Sequence, residues 1–175
     1  MTNVLHERLK GTLPFLANGV TQVAQAVEDL EATVENYWKL FGIEPWTFYV
    51  YDRKLLSRMT YRGKPADYSM HIALSYLGPT RIELIQVLKG PTVLDEFIRA
   101  HGYGVQHFGV LVDDMEEAIA QAGAAGIKVL MEGAGFGLDG DGHFTYLDTE
   151  SLLGITVELI NRPKRRRTPE KTFPA

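Results

Sequence analysis

Two stretches of the chain carry the same order of apolar and polar residues. Each begins as a run of mainly apolar residues, passes through an acidic pair, and continues with apolar residues three and four positions apart. The stretches at 19–31 and 104–116 align without a gap at an offset of 85 positions. A short apolar run predicts a strand, and a three-to-four spacing predicts an amphipathic helix. Each stretch therefore predicts a strand that leads directly into a helix.

The ends of both helices carry recognisable signals. Asp29 and Asp114 stand where each helix begins, and an aspartate there accepts hydrogen bonds from free backbone N–H groups and meets the positive end of the helix dipole. Gly42 and Gly126 stand where each helix should stop. The helices are thus bounded in the same way in both halves.

Three further strands are predicted after each helix, because apolar runs bounded by turn residues follow it. They lie at about 43–51, 68–76 and 81–85 in the first half and at 127–132, 143–148 and 156–160 in the second. This repeat predicts an α+β fold of tandem βαβββ modules that form a curled mixed sheet. The predicted parts are an N-terminal extension at 1–18, a first module at 19–90, a linker helix at 91–103, a second module at 104–161, and a basic, proline-containing tail at 162–175.

Two segments are predicted as loops at the rim of a cleft. The first carries Met59, Tyr61, Arg62 and Lys64 and could cover the site. The second is the glycine-rich segment 133–142, which lacks the spacing of a phosphate-binding loop.

Composition narrows the functional classes. The chain has 175 residues, of which 45% are hydrophobic, so a packed core is expected. A formal net charge of −4 does not favour nucleic acid or acidic membranes, and neither is expected as a partner. No cysteine is present, which excludes disulfides and thiolate ligands. Without a secretory signal pattern or a membrane-length apolar run, the expected location is the cytoplasm.

Four polar residues interrupt otherwise apolar predicted strands, and the repeat relates them in pairs. Gln22 matches His107, and Glu83 occupies the same place in the last strand of its module as Glu158. Taken singly, such a glutamate usually faces solvent and such a histidine usually packs in a core. Together they predict a convergent site, where a divalent cation would neutralise two carboxylates that otherwise repel each other. Zinc is the first choice, with nickel, cobalt, manganese or magnesium also compatible with these ligands.

Other polar and aromatic residues have a structural interpretation that we prefer. A strand rich in aromatic residues could line a substrate pocket, two histidines could serve as acid or base, and a basic run could touch the phosphates of a CoA thioester. Core packing and solvated charge are the commoner roles for such residues. The residues are Trp46, Phe48, Tyr49, Tyr51, His71, His143 and 164–167.

At these positions the sequence resembles the vicinal oxygen chelate superfamily. Its members include glyoxalase I, methylmalonyl-CoA epimerase, extradiol dioxygenases and bleomycin-resistance proteins. The segments VTQVAQAVEDLEATVENYWKLFGIEPW, VQHFGVLVDDMEEAI and GITVELI are similar to the epimerase-like and glyoxalase I-like branches. The resemblance implies metal ligation by Gln22, Glu83, His107 and Glu158. Epimerases of this kind typically carry His and Gln at the first two positions, and this chain departs from that pattern.

The resemblance also implies an activity: metal-dependent removal of a proton next to a carbonyl through a stabilised enolate. Glu158 maps to the base, with Glu83 as its symmetric partner. Either epimerisation or a glyoxalase-type lyase reaction fits, on a small carbonyl or acyl thioester substrate, in a protein expected to be a homodimer. The alternative is a metal-free protein that sequesters a ligand. An extradiol dioxygenase ranks lower, because Gln22 replaces a histidine that iron would need.

Overall fold

The computed structural model describes residues 13–175 and places them in a curled eleven-stranded mixed sheet with a few helices. The strands are β1 (Gln22–Ala26), β2 (Trp46–Tyr51), β3 (Arg58–Tyr61), β4 (Lys64–Pro65), β5 (Ser69–Leu77), β6 (Thr80–Lys89), β7 (Gly104–Leu111), β8 (Val129–Phe136), β9 (Gly142–Leu147), β10 (Thr156–Asn161) and β11 (Lys171–Phe173). The α-helices are α1 (Leu30–Phe41), α2 (Val93–His101), α3 (Met115–Ala124) and α4 (Glu150–Leu153), and a 3₁₀ helix covers Pro14–Asn18.

The sheet is built outward from an antiparallel pair of strands, β1 and β7. Each of them has a parallel neighbour on its other side, β6 for β1 and β10 for β7. The full order is β11-β2-β5-β6-β1-β7-β10-β9-β8-β3-β4, so β6, β5 and β2 are matched by β10, β9 and β8. The predicted α+β fold of paired βαβββ modules is confirmed, and the pseudo-twofold axis lies between β1 and β7.

The helix that starts each module is capped as its sequence predicts. The Asp29 side chain accepts a hydrogen bond from the backbone N–H of Ala32 at 3.0 Å. In the second module the Asp114 side chain accepts one from the backbone N–H of Glu117 at 3.0 Å. Helix α1 ends at Gly42, which has a φ of 64°, a left-handed conformation that glycine adopts without strain.

The predicted linker helix at 91–103 is observed at Val93–His101. Thr92 is the N-cap: its hydroxyl accepts from the backbone N–H of Asp95 while the Asp95 carboxylate accepts from the backbone N–H of Thr92. This reciprocal box fixes the start at Val93. Gly102 is the C-cap of the helix. Within residues 13–175, no helix is both long and apolar enough to cross a membrane.

The two faces of the sheet have different roles. On the outer face, α1 buries Leu30 and Val34 against β2, β5 and β6, and α3 buries Met115 and Ala122 against β7 and β10. Each fully buried aliphatic side chain contributes about 1.5–3 kcal/mol relative to exposure. The inner face is packed by a third cluster, to which both modules and α2 contribute. The polar residues singled out in the sequence project from this inner face.

The segment around Met59 is a strand rather than the predicted loop. Strand β3 leaves the first module and pairs antiparallel with β8 of the second, so that Met59 lies opposite Gly133. Its partner is more than 70 positions away, and a four-residue strand shows too little alternation to reveal such a pairing. Met59 is buried in the inner cluster, while Arg62 lies in the turn to β4.

Half of the glycine-rich segment 133–142 is strand, although the whole segment was predicted as a loop. Strand β8 extends to Phe136 and β9 begins at Gly142, which leaves only 137–141 as a connection. A side chain at Gly133 would collide with the ring of Phe144 on the neighbouring strand. Glycine is therefore needed there for close packing rather than for mobility.

The residues after β10 return to the first module. We call 162–170 the C-terminal strap: it runs past the β8–β9 connection, where the backbone N–H of Leu138 donates to the Arg165 carbonyl at 2.9 Å. Strand β11 then pairs antiparallel with β2, with Phe173 opposite Trp46. The Phe173 ring also packs edge-on against Trp38 at 5.4 Å. The strap thus links the last strand of one module to the edge of the other.

Candidate metal centre

Two small residues in the central strand pair make room for four polar side chains. Ala24 of β1 lies beside Glu83 on one strand and His107 on the other. Gly109 of β7 is the equivalent of Ala24 under the 85-residue repeat. It lies beside the other two polar residues in the same way. The structure brings together all four residues that the sequence singled out, namely Gln22, Glu83, His107 and Glu158.

These side chains are buried and in contact. Their residues are between 0% and 7% exposed. The His107 Nε2 lies 3.4 Å from Glu83 Oε2 and 3.2 Å from Glu158 Oε2. One ligand atom from each of these three residues lies within 4.8 Å of the others. Two carboxylates and one imidazole therefore converge on a single point at the inner face of the sheet.

Gln22 presents its amide nitrogen, not its carbonyl oxygen, to this point. The Nε2 group donates to Glu83 Oε2 at 2.8 Å and to Glu158 Oε2 at 2.9 Å. Its Oε1 accepts a hydrogen bond from Arg81 Nε at 2.6 Å. Ligation of a cation through Oε1 requires the amide to turn over, which would set its NH₂ group against the Arg81 donor. Gln22 as a fourth ligand therefore stays a prediction.

The ring of His107 is held from its other side. Its Nδ1 lies 2.7 Å from Gln106 Oε1, an acceptor, so Nδ1 carries the hydrogen and Nε2 faces the carboxylates. The Tyr146 ring packs edge-on against the imidazole at 4.9 Å. A hydrogen bond to the far nitrogen is the usual support for a metal-bound histidine, because it fixes the ring and raises its basicity.

In the metal-free cluster, positive side chains balance the negative charges of the two carboxylates. Burial raises the pKa of Glu158, and the opposite charge of His107 only partly offsets this. Burial alone would lower the pKa of His107, but the neighbouring Glu158 and Glu83 outweigh it and raise the pKa to about 9. Arg81, which is 5% exposed, adds a permanent positive charge beside Gln22. Two carboxylates thus face two cationic side chains.

The chemistry of the donors fits a divalent cation. Glu83, His107 and Glu158 offer two carboxylate oxygens and one imidazole nitrogen from rigid strands, a set that zinc and harder divalent ions accept. Three protein ligands leave coordination positions for other groups, as in catalytic rather than structural zinc sites. The three residues could therefore hold a metal ion.

Two histidines that could have served as acid or base lie elsewhere. His143 contacts Glu132 Oε1 at 3.1 Å and Arg58 Nη2 at 3.3 Å, in a polar cluster between β9, β8 and β3. His71 packs its ring on Phe48 at 5.7 Å. Both therefore have the structural surroundings that the sequence analysis preferred.

The remaining candidates divide between core and cleft. Trp46 and Phe48 are buried under α1. Tyr49 and Tyr51 instead line a cavity next to the C-terminal strap. Arg62 was a candidate for contacting the substrate. It instead forms a bidentate ion pair with Glu96 of α2. Of the aromatic candidates only the two tyrosines face the cleft, and Arg166 of the basic run 164–167 lines the same cavity.

Three residues of the centre were not singled out in the sequence. Arg81 and Glu83 are two positions apart on one strand, so alternation alone places them on the same face. Gly109 could have been found from the sequence, because the repeat aligns it with Ala24, another small residue. No sequence signal pointed to Gln106, because it contacts His107 only through an irregularity in the strand pairing.

Comparison with known proteins places this fold and site in a family. The model of the Glyoxalase/Bleomycin resistance protein/Dioxygenase superfamily matches residues 21–146. The chain belongs to that superfamily, as its resemblance implied. No curated protein matches the sequence.

Solved structures show the same fold at low sequence identity. The methylmalonyl-CoA epimerase of Mycobacterium tuberculosis aligns with a TM-score of 0.57 and 21% identity, over 83% of this chain and 89% of the epimerase. The Streptomyces coelicolor methylmalonyl-CoA epimerase, in complex with 2-nitronate-propionyl-CoA, aligns with a TM-score of 0.61 and 20% identity, over 85% and 96%. A hypothetical protein from Bacillus halodurans gives 0.58 and 19%, over 85% and 97%. At these identities the likeness concerns the fold.

Proposed function

We propose that the protein catalyses metal-dependent proton transfer at the carbon next to a carbonyl group, with an acyl thioester as the preferred substrate class. The observation that carries this proposal is the convergence of Glu83, His107 and Glu158 at the inner face of the sheet. The similarity in fold to epimerases that act on methylmalonyl-CoA supports the choice of substrate class.

The residues of the centre would divide the chemistry between them. A divalent cation held by Glu83, His107 and Glu158, for which zinc is our first choice, would supply Lewis-acid polarisation of the carbonyl oxygen. Glu158 accepts the proton from the neighbouring carbon. Glu83, its counterpart under the repeat, would be the second carboxylate that returns a proton to the enolate. Gln106 holds the His107 ring in place.

The test measures exchange and metal content separately. Deuterium uptake from D₂O into methylmalonyl-CoA and other 2-methyl acyl thioesters is followed by mass spectrometry, and bound metal is measured by elemental analysis. Glu158→Gln should lose exchange and keep most of the metal, since an amide oxygen can still ligate. The matched control is Glu117→Gln, on the exposed face of α3. Exchange at the wild-type rate in Glu158→Gln would show that Glu158 is not the base.

A metal-free ligand-binding protein is the second candidate, and one observation favours it. The Gln22 amide and the cationic Arg81 and His107 already satisfy the two carboxylates. Purified protein without stoichiometric metal, and without metal uptake on titration, would select this alternative over the enzyme.

A further inference from the structure

Three arginines line the cleft beside the metal centre. Arg81 comes from β6, Arg162 follows β10, and Arg166 belongs to the C-terminal strap; all three line one cavity together with Glu83 and Glu158. Arg81 and Arg166 also line an adjoining cavity of about 290 Å³. Two of the three lie beyond residue 146, where the match to the family model ends. The basic group thus joins one residue of the first module to two residues of the C-terminal part of the chain.

The charges of these arginines are not balanced by ion pairs. Four arginines of residues 13–175 have carboxylate partners within 4.0 Å, as Arg62 has in Glu96, whereas Arg81, Arg162 and Arg166 have none there. Burial and the nearby charges of Arg81 and Arg166 lower the pKa of Arg162. Like charges held together in this way favour binding of an anion.

Arg162 also has an unsatisfied donor. Its Nε is buried and makes no hydrogen bond within residues 13–175. A buried donor without a partner costs free energy, and a guanidinium group pairs best with the two oxygens of a carboxylate or phosphate. Arg81 uses its Nε for Gln22, which leaves its two terminal nitrogens for another acceptor.

We infer that Arg81, Arg162 and Arg166 form an anion-binding subsite for a carboxylate or phosphate group of the substrate. This inference rests on the proposed function, because the shared cavity joins the arginines to the proton-transferring carboxylates. The substrate is then an acyl compound with an anionic group close to its reacting carbon. The arginines fix that group, and the carbonyl end meets Glu158.

The strap offers a matched pair of variants for the test. Arg166 lines the cavities, whereas its neighbour Arg165 turns outward and pairs with Asp139. Succinate, inorganic phosphate and neutral succinamide are titrated calorimetrically into wild type, Arg166→Ala and Arg165→Ala. We expect succinate or phosphate to bind the wild type and to bind Arg166→Ala about tenfold more weakly. Arg165→Ala should retain wild-type affinity, and succinamide should give no binding heat.

Several outcomes separate the possibilities. Tighter binding of succinate than phosphate identifies a carboxylate, and the reverse order identifies a phosphate. Arg166→Lys, which keeps the charge but loses the planar fork, should fall between wild type and Arg166→Ala. Three outcomes would overturn the subsite. The first is that the wild type binds no anion, the second that wild type and Arg166→Ala bind anions equally well, and the third that Arg165→Ala loses as much affinity as Arg166→Ala.

The anion titration also distinguishes this inference from the proposed function. Repeating it with metal-stripped protein removes any direct binding of succinate to the metal. Glu158→Gln should lose deuterium exchange but keep the dependence of anion binding on Arg166. Loss of one property without the other shows which of the two proposals has failed.

Discussion

Gly109 lies directly beside Gln22 in the central strand pair, and a methyl group on its Cα would lie 2.8 Å from Gln22 Cβ. The same methyl group would lie 3.2 Å from Glu158 Oε2. Gly109→Ala should therefore displace two side chains of the centre, weaken zinc binding about tenfold or more, and cost about 1–3 kcal/mol of stability. Zinc titration and denaturant unfolding measure the two effects.

A glycine on the surface supplies the control for that variant. Gly123 lies within α3, and an added Cβ meets no atom within 4 Å. Gly123→Ala should leave zinc binding unchanged and stabilise the protein by up to about 1 kcal/mol, because alanine is the better helix former. Wild-type zinc affinity in Gly109→Ala would contradict the assigned packing.

Gln106 should affect metal affinity although it is not itself a metal ligand. Gln106→Ala removes the acceptor of the His107 Nδ1 hydrogen, so the ring is no longer fixed. Loss of such a supporting hydrogen bond typically weakens metal binding about 10–100-fold. Calorimetric zinc titration measures the change, and Gln121→Ala, which removes a surface hydrogen bond on α3, serves as control. Equal zinc affinities in both variants would show that Gln106 does not support the site.

The packing of α1 predicts a large loss of stability from one substitution. Leu30 is fully buried against the first module, so Leu30→Ala should cost about 2–5 kcal/mol. Leu40 on the same helix is 72% exposed, and Leu40→Ala should change stability by less than about 0.5 kcal/mol. Urea unfolding of both variants measures the difference, which would vanish if α1 did not pack on the sheet.

The contact between α2 and the β3–β4 turn should make stability depend on pH. The Arg62 guanidinium hydrogen-bonds to Glu96 and lowers the pKa of that carboxyl below 4.5. A carboxyl group whose pKa is lower in the folded state stabilises the protein at pH values above its unfolded-state pKa. This contribution disappears as the pH falls through the folded-state pKa. The stability difference between wild type and Glu96→Gln should thus be constant near neutral pH and shrink below about pH 4.5. A difference that does not change with pH would contradict this pairing.

The main features of the fold and the positions of the four polar residues could be predicted from the sequence. The repeat predicted matching modules and related Gln22 to His107 and Glu83 to Glu158, from which a convergent site followed. Residues two positions apart share a face, so the same reasoning extends to Arg81. The side-chain orientation of Gln22 could not be predicted, because it depends on that arginine of the neighbouring strand.

Other features depend on departures from regular pairing. Ala24 lies opposite His107, while the next residue, Gln25, lies opposite Val105, so Gln106 is an extra residue in its strand. In a regular strand Gln106 would point away from His107. Such a bulge cannot be predicted from the alternation of apolar and polar residues. The pairing of β3 with β8 cannot be predicted from that pattern either.

The two outermost strands of the sheet affect how copies of this protein can associate. At one border stands β11, with three residues and Pro174 immediately after it; at the other stands β4, which consists of Lys64 and Pro65 alone. Short borders that carry lysine and proline offer few free backbone groups for another chain to pair with. The sheet is thereby protected against growth by edge-to-edge strand pairing, so contacts between copies should use side-chain surfaces instead.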